Sequence, residues 1–181
     1  MGHLIIANTM LGYTDLDQMW FVVSPHNPFK NRKSLLPDLD RLRMVELAIE
    51  DNFDLRASNI EFDMPIPSYT IDTLIRLVER YPQHNFRLVI GEDNLTHFHK
   101  WKNYEQIMEL ARLYVYPRPH VMEKKIKLPV EELSEIVKIN EAPMIDISAT
   151  FIRKCVKNHI PIRYLVHDRV AEYISDRKLF L

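Results

Sequence analysis

The sequence predicts an α/β fold, a parallel sheet flanked by helices. Three observations predict it. Short apolar runs of strand length recur at residues 19–23, 86–90 and 113–116. Segments with helical spacing separate them, and the runs are nearly continuous rather than alternating, as in strands covered on both faces.

Taken in order, residues 3–13 read as a helix, because Leu4, Ile5, Ala7 and Leu11 recur at near-helical spacing after Gly2. Met19-Trp20-Phe21-Val22-Val23 suits a strand buried on both faces. Pro25, Pro28 and Pro37, with Asn27 and the basic stretch from Lys30 to Lys33, predict a surface loop. Asp38 is then the predicted N-cap of a helix whose buried stripe is Leu39, Leu42, Val45 and Ile49. Residues 55–62 read as a strand ended by Pro65 and Pro67. Ser68 or Thr70 caps the next helix, where Ile71, Leu74, Ile75 and Val78 share one face. The run 86–90 stops at Gly91, Glu92-Asp93-Asn94 is turn or helix-start chemistry, and a helix follows to about Ala111. A strand at 113–116 halts at Pro117 and Pro119, another spans 136–139, and two short helices occupy 149–157 and 168–177. With no internal repeat or low-complexity segment, residues 1–181 are expected to form a single domain.

Composition narrows the function classes. At 181 residues with 46% hydrophobic content, the chain can bury a core without disulfides, and Cys155 has no second cysteine to pair with. No apolar run is long enough to span a bilayer and no basic leader opens the chain, so the expectation is a cytoplasmic protein with no membrane association. Net charge of −1 argues against a general nucleic-acid binder. Charge is uneven, however: residues 153–181 hold seven basic and three acidic side chains, which leaves room for a local anion site.

In open parallel sheets ligands bind beyond the carboxyl ends of the strands. There the sequence places Ser24 to Lys30, Gly91 to Asn94 and Ser148 to Arg153. Ser148 can cap a helix whose first N–H groups point outward at a dipole-positive end, with Arg153, Lys154 and Lys157 adding positive charge, a pattern suited to phosphate. On its own this is equally an ordinary capped helix with a solvated basic face. His3 stands at a second helix start, where a histidine can donate to phosphate or simply face water. His97 and His99 are two apart, which does not make a metal pair on a helix. Trp101 either completes the core or offers a ring face to a planar ligand, and Cys155 reads as a small core side chain.

Seven segments in order resemble the bacterial nicotinate-nucleotide adenylyltransferases, HxGH-type nucleotidyltransferases of Rossmann-like fold. They are Gly2-His3, Ser24 to Lys30, Ser68 to Leu74, Gly91 to Asp93, Trp101, Tyr116 to Pro119, and Ile147 to Arg153. The resemblance implies transfer of AMP from ATP to nicotinate mononucleotide in NAD biosynthesis, with Mg²⁺ on the phosphates and small molecules as partners. A homo-oligomer is left open. Residue by residue, His3 resembles the second histidine of HxGH, and Lys30 resembles a basic phosphate-contacting residue. Gly91 and Asp93 resemble the strand-end pair near the ATP ribose. Ser148, Thr150 and Arg153 resemble a phosphate-binding ISSTxIR element in which Ala149 replaces a serine. Tyr69, Thr70 and Trp101 resemble the nicotinate side, with Trp101 stacking on the pyridine. Phe29 stands where many relatives have histidine.

Relatives begin with an apolar strand, a glycine-rich loop and the first histidine of HxGH, ahead of the point that Met1-Gly2-His3 resembles. The expectation is therefore a fold whose first strand is missing from this sequence, in a natural protein that is longer at its front. Without that strand, neighbouring strands would lack ladder partners. Two alternatives stay open: a nucleotide-binding but catalytically impaired fragment, and an adenylyltransferase for another acceptor such as nicotinamide mononucleotide or phosphopantetheine.

Overall fold

The computed structural model describes residues 1–25, 36–118, 136–139 and 142–181. In chain order the elements are α1 (Gly2–Tyr13), β1 (Met19–Val22), α2 (Asp38–Ile49), β2 (Leu55–Ser58), α3 (Thr70–Arg80), β3 (Arg87–Gly91), α4 (Glu92–Leu95), a 3-10 turn (Phe98–Lys100), α5 (Tyr104–Leu110), β4 (Arg112–Tyr116), β5 (Val137–Lys138), α6 (Ala149–Lys157) and α7 (Asp168–Asp176). They divide into two units, residues 1–62 with 146–181, and residues 63–145. Among the described residues every strand pairing is parallel, as the strand-helix alternation predicts. Among the described residues no helix is long and apolar enough to cross a membrane.

In the first unit β1 pairs with β2, Met19 opposite Leu55, and the ladder runs one step further through Val23 N–H to Ser58 O at 2.9 Å. All four β1 residues are only partly buried, which departs from the doubly buried strand predicted. β2 is also shorter than 55–62: beyond Ser58 the chain turns, with Phe62 N–H donating to Asn59 O at 2.9 Å. One core cluster of this unit is Val170, Ile174 and Leu179, packed by Met44, Leu47 and Ala48 of α2 and by Val156 of α6.

Helix α2 departs from its predicted stripe at its first position only: Ile49 is buried as predicted and Leu42 and Val45 are half-buried. Leu39 is 72% exposed and Asp40 is buried. The reason is a polar tie: the Asp40 carboxylate accepts from Tyr173 Oη at 2.7 Å and Arg177 Nη2 at 3.4 Å, so α2 turns Asp40 toward α7. Leu39 sits one residue away, about 100° around the helix, and faces solvent. Asp38 is the first helical residue rather than the N-cap, which is Pro37, and its carboxylate pairs with Arg41 at 2.5 Å.

In the second unit β3, β4 and β5 form a sheet in that order, with Gly91 opposite Tyr116. Helix α3 is strongly amphipathic and buries Ile71, Thr73, Leu74 and Leu77. Neither Ser68 nor Thr70 is its N-cap: Tyr69 is, in extended conformation and with no side-chain cap bond. The helix predicted to run on to Ala111 is broken into α4, the 3-10 turn and α5. Leu95, Phe98, Trp101, Tyr104 and Ile107 all pack in one core. Their spacing is three, and on a continuous α-helix each step of three would drift about 60° off one face. Breaking the helix keeps all five on the core, and Asn103, at φ 50°, makes the turn into α5.

Candidate functional site

The N-terminus of α6 is built as its sequence predicts. Ser148 is extended (φ −104°, ψ 147°), and its Oγ accepts from Phe151 N–H at 3.1 Å. Its carbonyl takes the Ile152 N–H at 3.1 Å. Helix geometry leaves the N–H groups of Ala149 and Thr150 without intrahelical acceptors, pointing outward. One turn in, Arg153 Nη2 donates to Thr150 Oγ1 at 3.1 Å, which holds the guanidinium beside those amides. Ser148, Thr150 and Phe151 are exposed and Arg153 is half-buried, so the group is reachable from water. Opposite the Arg153 side of the helix, Cys155 is buried as expected.

His3 lies in the same unit, exposed in the first turn of α1. The first turn of that helix closes on the Met1 carbonyl, which accepts from Leu4 N–H at 2.9 Å and Ile5 N–H at 3.0 Å. Lys30 and Phe29 lie outside the described residues. The two ends of the segment that carries them are gripped by one side chain: Arg41 donates to Ser24 O at 2.6 Å, Pro25 O at 3.0 Å and Leu36 O at 3.2 Å.

In the second unit, the carboxyl ends of β3 and β4 bring Gly91, Asp93, Tyr116 and Arg118 together. Gly91 leaves room there for two side-chain ends that a larger residue would displace. A Cβ on it would stand 2.3 Å from Asp93 Oδ1 and 3.1 Å from Arg118 Nε. Asp93 and Arg118 form a loose ion pair, 3.7 Å from Nε to Oδ1, and this Nε is buried with no hydrogen-bond partner among the described residues. Tyr116 Oη donates to Pro143 O. Burial pushes its phenol up, and the Arg118 charge pulls it partly back.

Tyr69 and Trp101, 32 positions apart in sequence, belong to neighbouring structure. Trp101 packs partly buried against the core, its ring 5.2 Å from that of Phe98. Its chain neighbour Lys102 reaches Asp72 of α3 at 3.0 Å and lies 4.8 Å from the centre of the Tyr69 ring. Thr70 is the first residue of α3. The structure thus gathers the sequence-predicted residues into local groups: Ser148, Thr150 and Arg153 in one turn, Gly91 and Asp93 at one strand end, and Tyr69 and Thr70 linked to the Trp101 segment.

Sequence reasoning gave no role to Arg118, Lys102 or Arg41. For Arg118 a signal existed, an arginine between prolines just after an apolar strand. Lys102 and Arg41 carried no signal beyond being surface cations. No group of three or more potential metal ligands occurs among the described residues.

Parallel pairing, helix crossovers and polar strand ends with a donor-rich helix start suit an α/β protein that binds phosphate compounds. Residues 1–155 match the family model described as cytidylyltransferase-like, and the chain is a member of that class. Among its relatives, a protein named probable nicotinate-nucleotide adenylyltransferase from Cytophaga hutchinsonii is 51% identical over 180 residues, 99% of this chain and 91% of that protein. Its namesake in Flavobacterium johnsoniae is 46% identical, over 99% of this chain and 92% of its own. Of solved structures, the Plasmodium falciparum nicotinic acid mononucleotide adenylyltransferase complexed with NaAD superposes with a TM-score of 0.73 at 18% identity. That match covers 98% of this chain and 89% of the other, and it shows the shared fold. Within the cytidylyltransferase-like class, the chain belongs to the nicotinate-nucleotide adenylyltransferase family.

Proposed function

We propose that the protein transfers AMP from ATP to nicotinate mononucleotide, giving deamido-NAD and pyrophosphate in NAD biosynthesis, as one nucleotidyltransferase domain over residues 1–181. The observation that carries the reading is the α6 start, where Ser148 caps the helix and Thr150 holds Arg153 beside outward N–H groups. Such a donor set fits phosphate oxygens. Family membership narrows the phosphate compound to ATP and the acceptor to nicotinate mononucleotide.

In this reading Ser148, Thr150 and Arg153 bind the triphosphate, and His3 and Lys30 donate to it. Gly91 and Asp93 meet the nucleotide at the β3 end. Tyr69, Thr70 and Trp101 receive the pyridine. An oxygen of the mononucleotide phosphate attacks the α-phosphorus in line, a new P–O bond forms, and the bond to the β-phosphate oxygen breaks as pyrophosphate leaves. The attacking phosphate is already ionised, so catalysis is positioning plus neutralisation of charge, without a covalent enzyme intermediate. Arg118, whose buried Nε has no hydrogen-bond partner among the described residues, adds a second guanidinium able to meet an anion.

The proposed phosphate contacts are hydrogen-bond donors, which suit phosphate oxygens and not a cation, so Mg²⁺ would be held by the phosphates of ATP themselves. When bound it supplies neutralisation of charge on the leaving pyrophosphate. A cytoplasmic location goes with small, soluble substrates.

The test is pyrophosphate release from ATP with nicotinate mononucleotide, run beside nicotinamide mononucleotide. The expected outcome is release that requires the acceptor and favours the nicotinate form by about ten-fold or more in kcat/KM, a difference of about 1.4 kcal/mol. ATP binding without release would reject the enzyme reading, and preference for the amide would reject the acceptor.

A further inference from the structure

The proposed acceptor side has two parts far apart in sequence, Tyr69-Thr70 at the start of α3 and Trp101 after the 3-10 turn. Each is anchored separately. Trp101 rests on Phe98 and the core. The Tyr69 carbonyl accepts from the Thr73 N–H at 3.1 Å and from Thr73 Oγ1 at 3.2 Å, while its ring is exposed. One ammonium group spans the interval. Lys102 Nζ donates to both Asp72 carboxylate oxygens, at 3.1 and 3.0 Å, and stands 4.8 Å from the Tyr69 ring centre.

We infer that Lys102 is a positioning residue for the acceptor: by engaging Asp72 and Tyr69 together it sets the spacing between the α3 start and Trp101. Lys102 and Asp72 are each partly exposed, so the pair adds little to global stability. Its effect is geometric. Trp101 is the residue before Lys102 and Asn103, with φ 50°, the residue after, so a tether on Lys102 acts on a short bend that displays the indole. Asp72 sits in the first turn of α3, where a carboxylate also favours the helix dipole, which keeps the acceptor for Lys102 in place. The cation over the Tyr69 ring restrains an aromatic side chain that is otherwise turned to solvent.

This rests on reading Tyr69, Thr70 and Trp101 as the acceptor side, and the experiment separates the two claims. Steady-state kinetics and melting temperature are measured for Lys102→Met, Asp72→Asn, their double variant, Lys102→Arg and Trp101→Ala. Each single loss at 102 or 72 is expected to raise KM for nicotinate mononucleotide about five-fold, with KM for ATP and the melting temperature held. The double variant is expected to be no worse than the worse single, and Lys102→Arg to recover most of the loss. Additive effects, an equal rise in KM for ATP, or no rise in Lys102→Met while Trp101→Ala does raise it, would overturn the positioning role alone. No rise in either Lys102→Met or Trp101→Ala would overturn the acceptor-side reading, and this inference with it.

Discussion

Arg153 and Gly91 are the residues at which the proposed chemistry is most exposed to test. Arg153 is already held by Thr150 Oγ1 at 3.1 Å, so its guanidinium arrives at the phosphates with little freedom left to lose. Arg153→Ala is expected to raise KM for ATP at least ten-fold, since a charge-assisted hydrogen bond contributes about 1.5–3 kcal/mol. Titration of the variant with ATP by calorimetry checks this, and unchanged affinity would remove α6 from the site. Gly91→Ala separates site from fold. The added Cβ meets Asp93 Oδ1 at 2.3 Å, and that side chain is 56% exposed and can swing away. Folding is therefore expected to weaken by less than about 1 kcal/mol while the Asp93 carboxylate leaves its place and nucleotide binding falls. Melting temperature and ATP affinity, measured on one sample, would show whether the two effects part in this way.

Between elements, polar ties decide the phase of helices that apolar patterns leave open. Tyr173 donates to buried Asp40 at 2.7 Å, joining α7 to α2. That hydrogen bond, with burial adding to it, holds the phenol above its ordinary value of 10.0. A raised pKa means the neutral phenol is favoured in the folded state. Its contribution is fully present below about pH 10 and is lost as pH rises through the elevated value. Tyr173→Phe is expected to cost about 1 kcal/mol at neutral pH and to remove this part of the alkaline destabilisation, as urea denaturation at pH 7 and pH 11 would reveal. Arg41 acts likewise on the ends of the segment 26–35. Its removal in Arg41→Ala strips hydrogen bonds from the carbonyls of Ser24, Pro25 and Leu36, with an expected loss of about 2 kcal/mol. A variant as stable as the parent would show that those carbonyls find water instead.

For the molecule as a whole, binding of nucleotide is expected to appear as stability. ATP at a hundred times its dissociation constant should add about 2.7 kcal/mol through preferential binding to the folded state, seen as a rise in melting temperature that Arg153→Ala abolishes. The parallel pairing, the order of strands and helices and the position of α6 were all readable, because each follows from local periodicity and cap chemistry. Element ends were read less well. β2 ends four residues before the predicted limit, since Asn59 turns the chain there. The long helix after Gly91 is divided because five core contacts at a spacing of three outweigh helix continuity. Leu39 is exposed rather than buried, and Asp40 is buried beside it, because a hydrogen-bonding partner on α7, 133 positions from Asp40, cannot be seen from residues near α2.

The fold class, the donor-rich start of α6 and the residue types offered at each strand end are all legible along the chain, since propensity, capping and strand-helix alternation act over a few neighbouring residues. Folding alone brings Lys102 to Asp72 and Tyr69, Arg118 to Asp93 and Gly91, and Arg41 to both ends of one segment. Those are contacts between distant stretches of chain, and no local pattern encodes which surface cation will find which acceptor until packing has brought the two together.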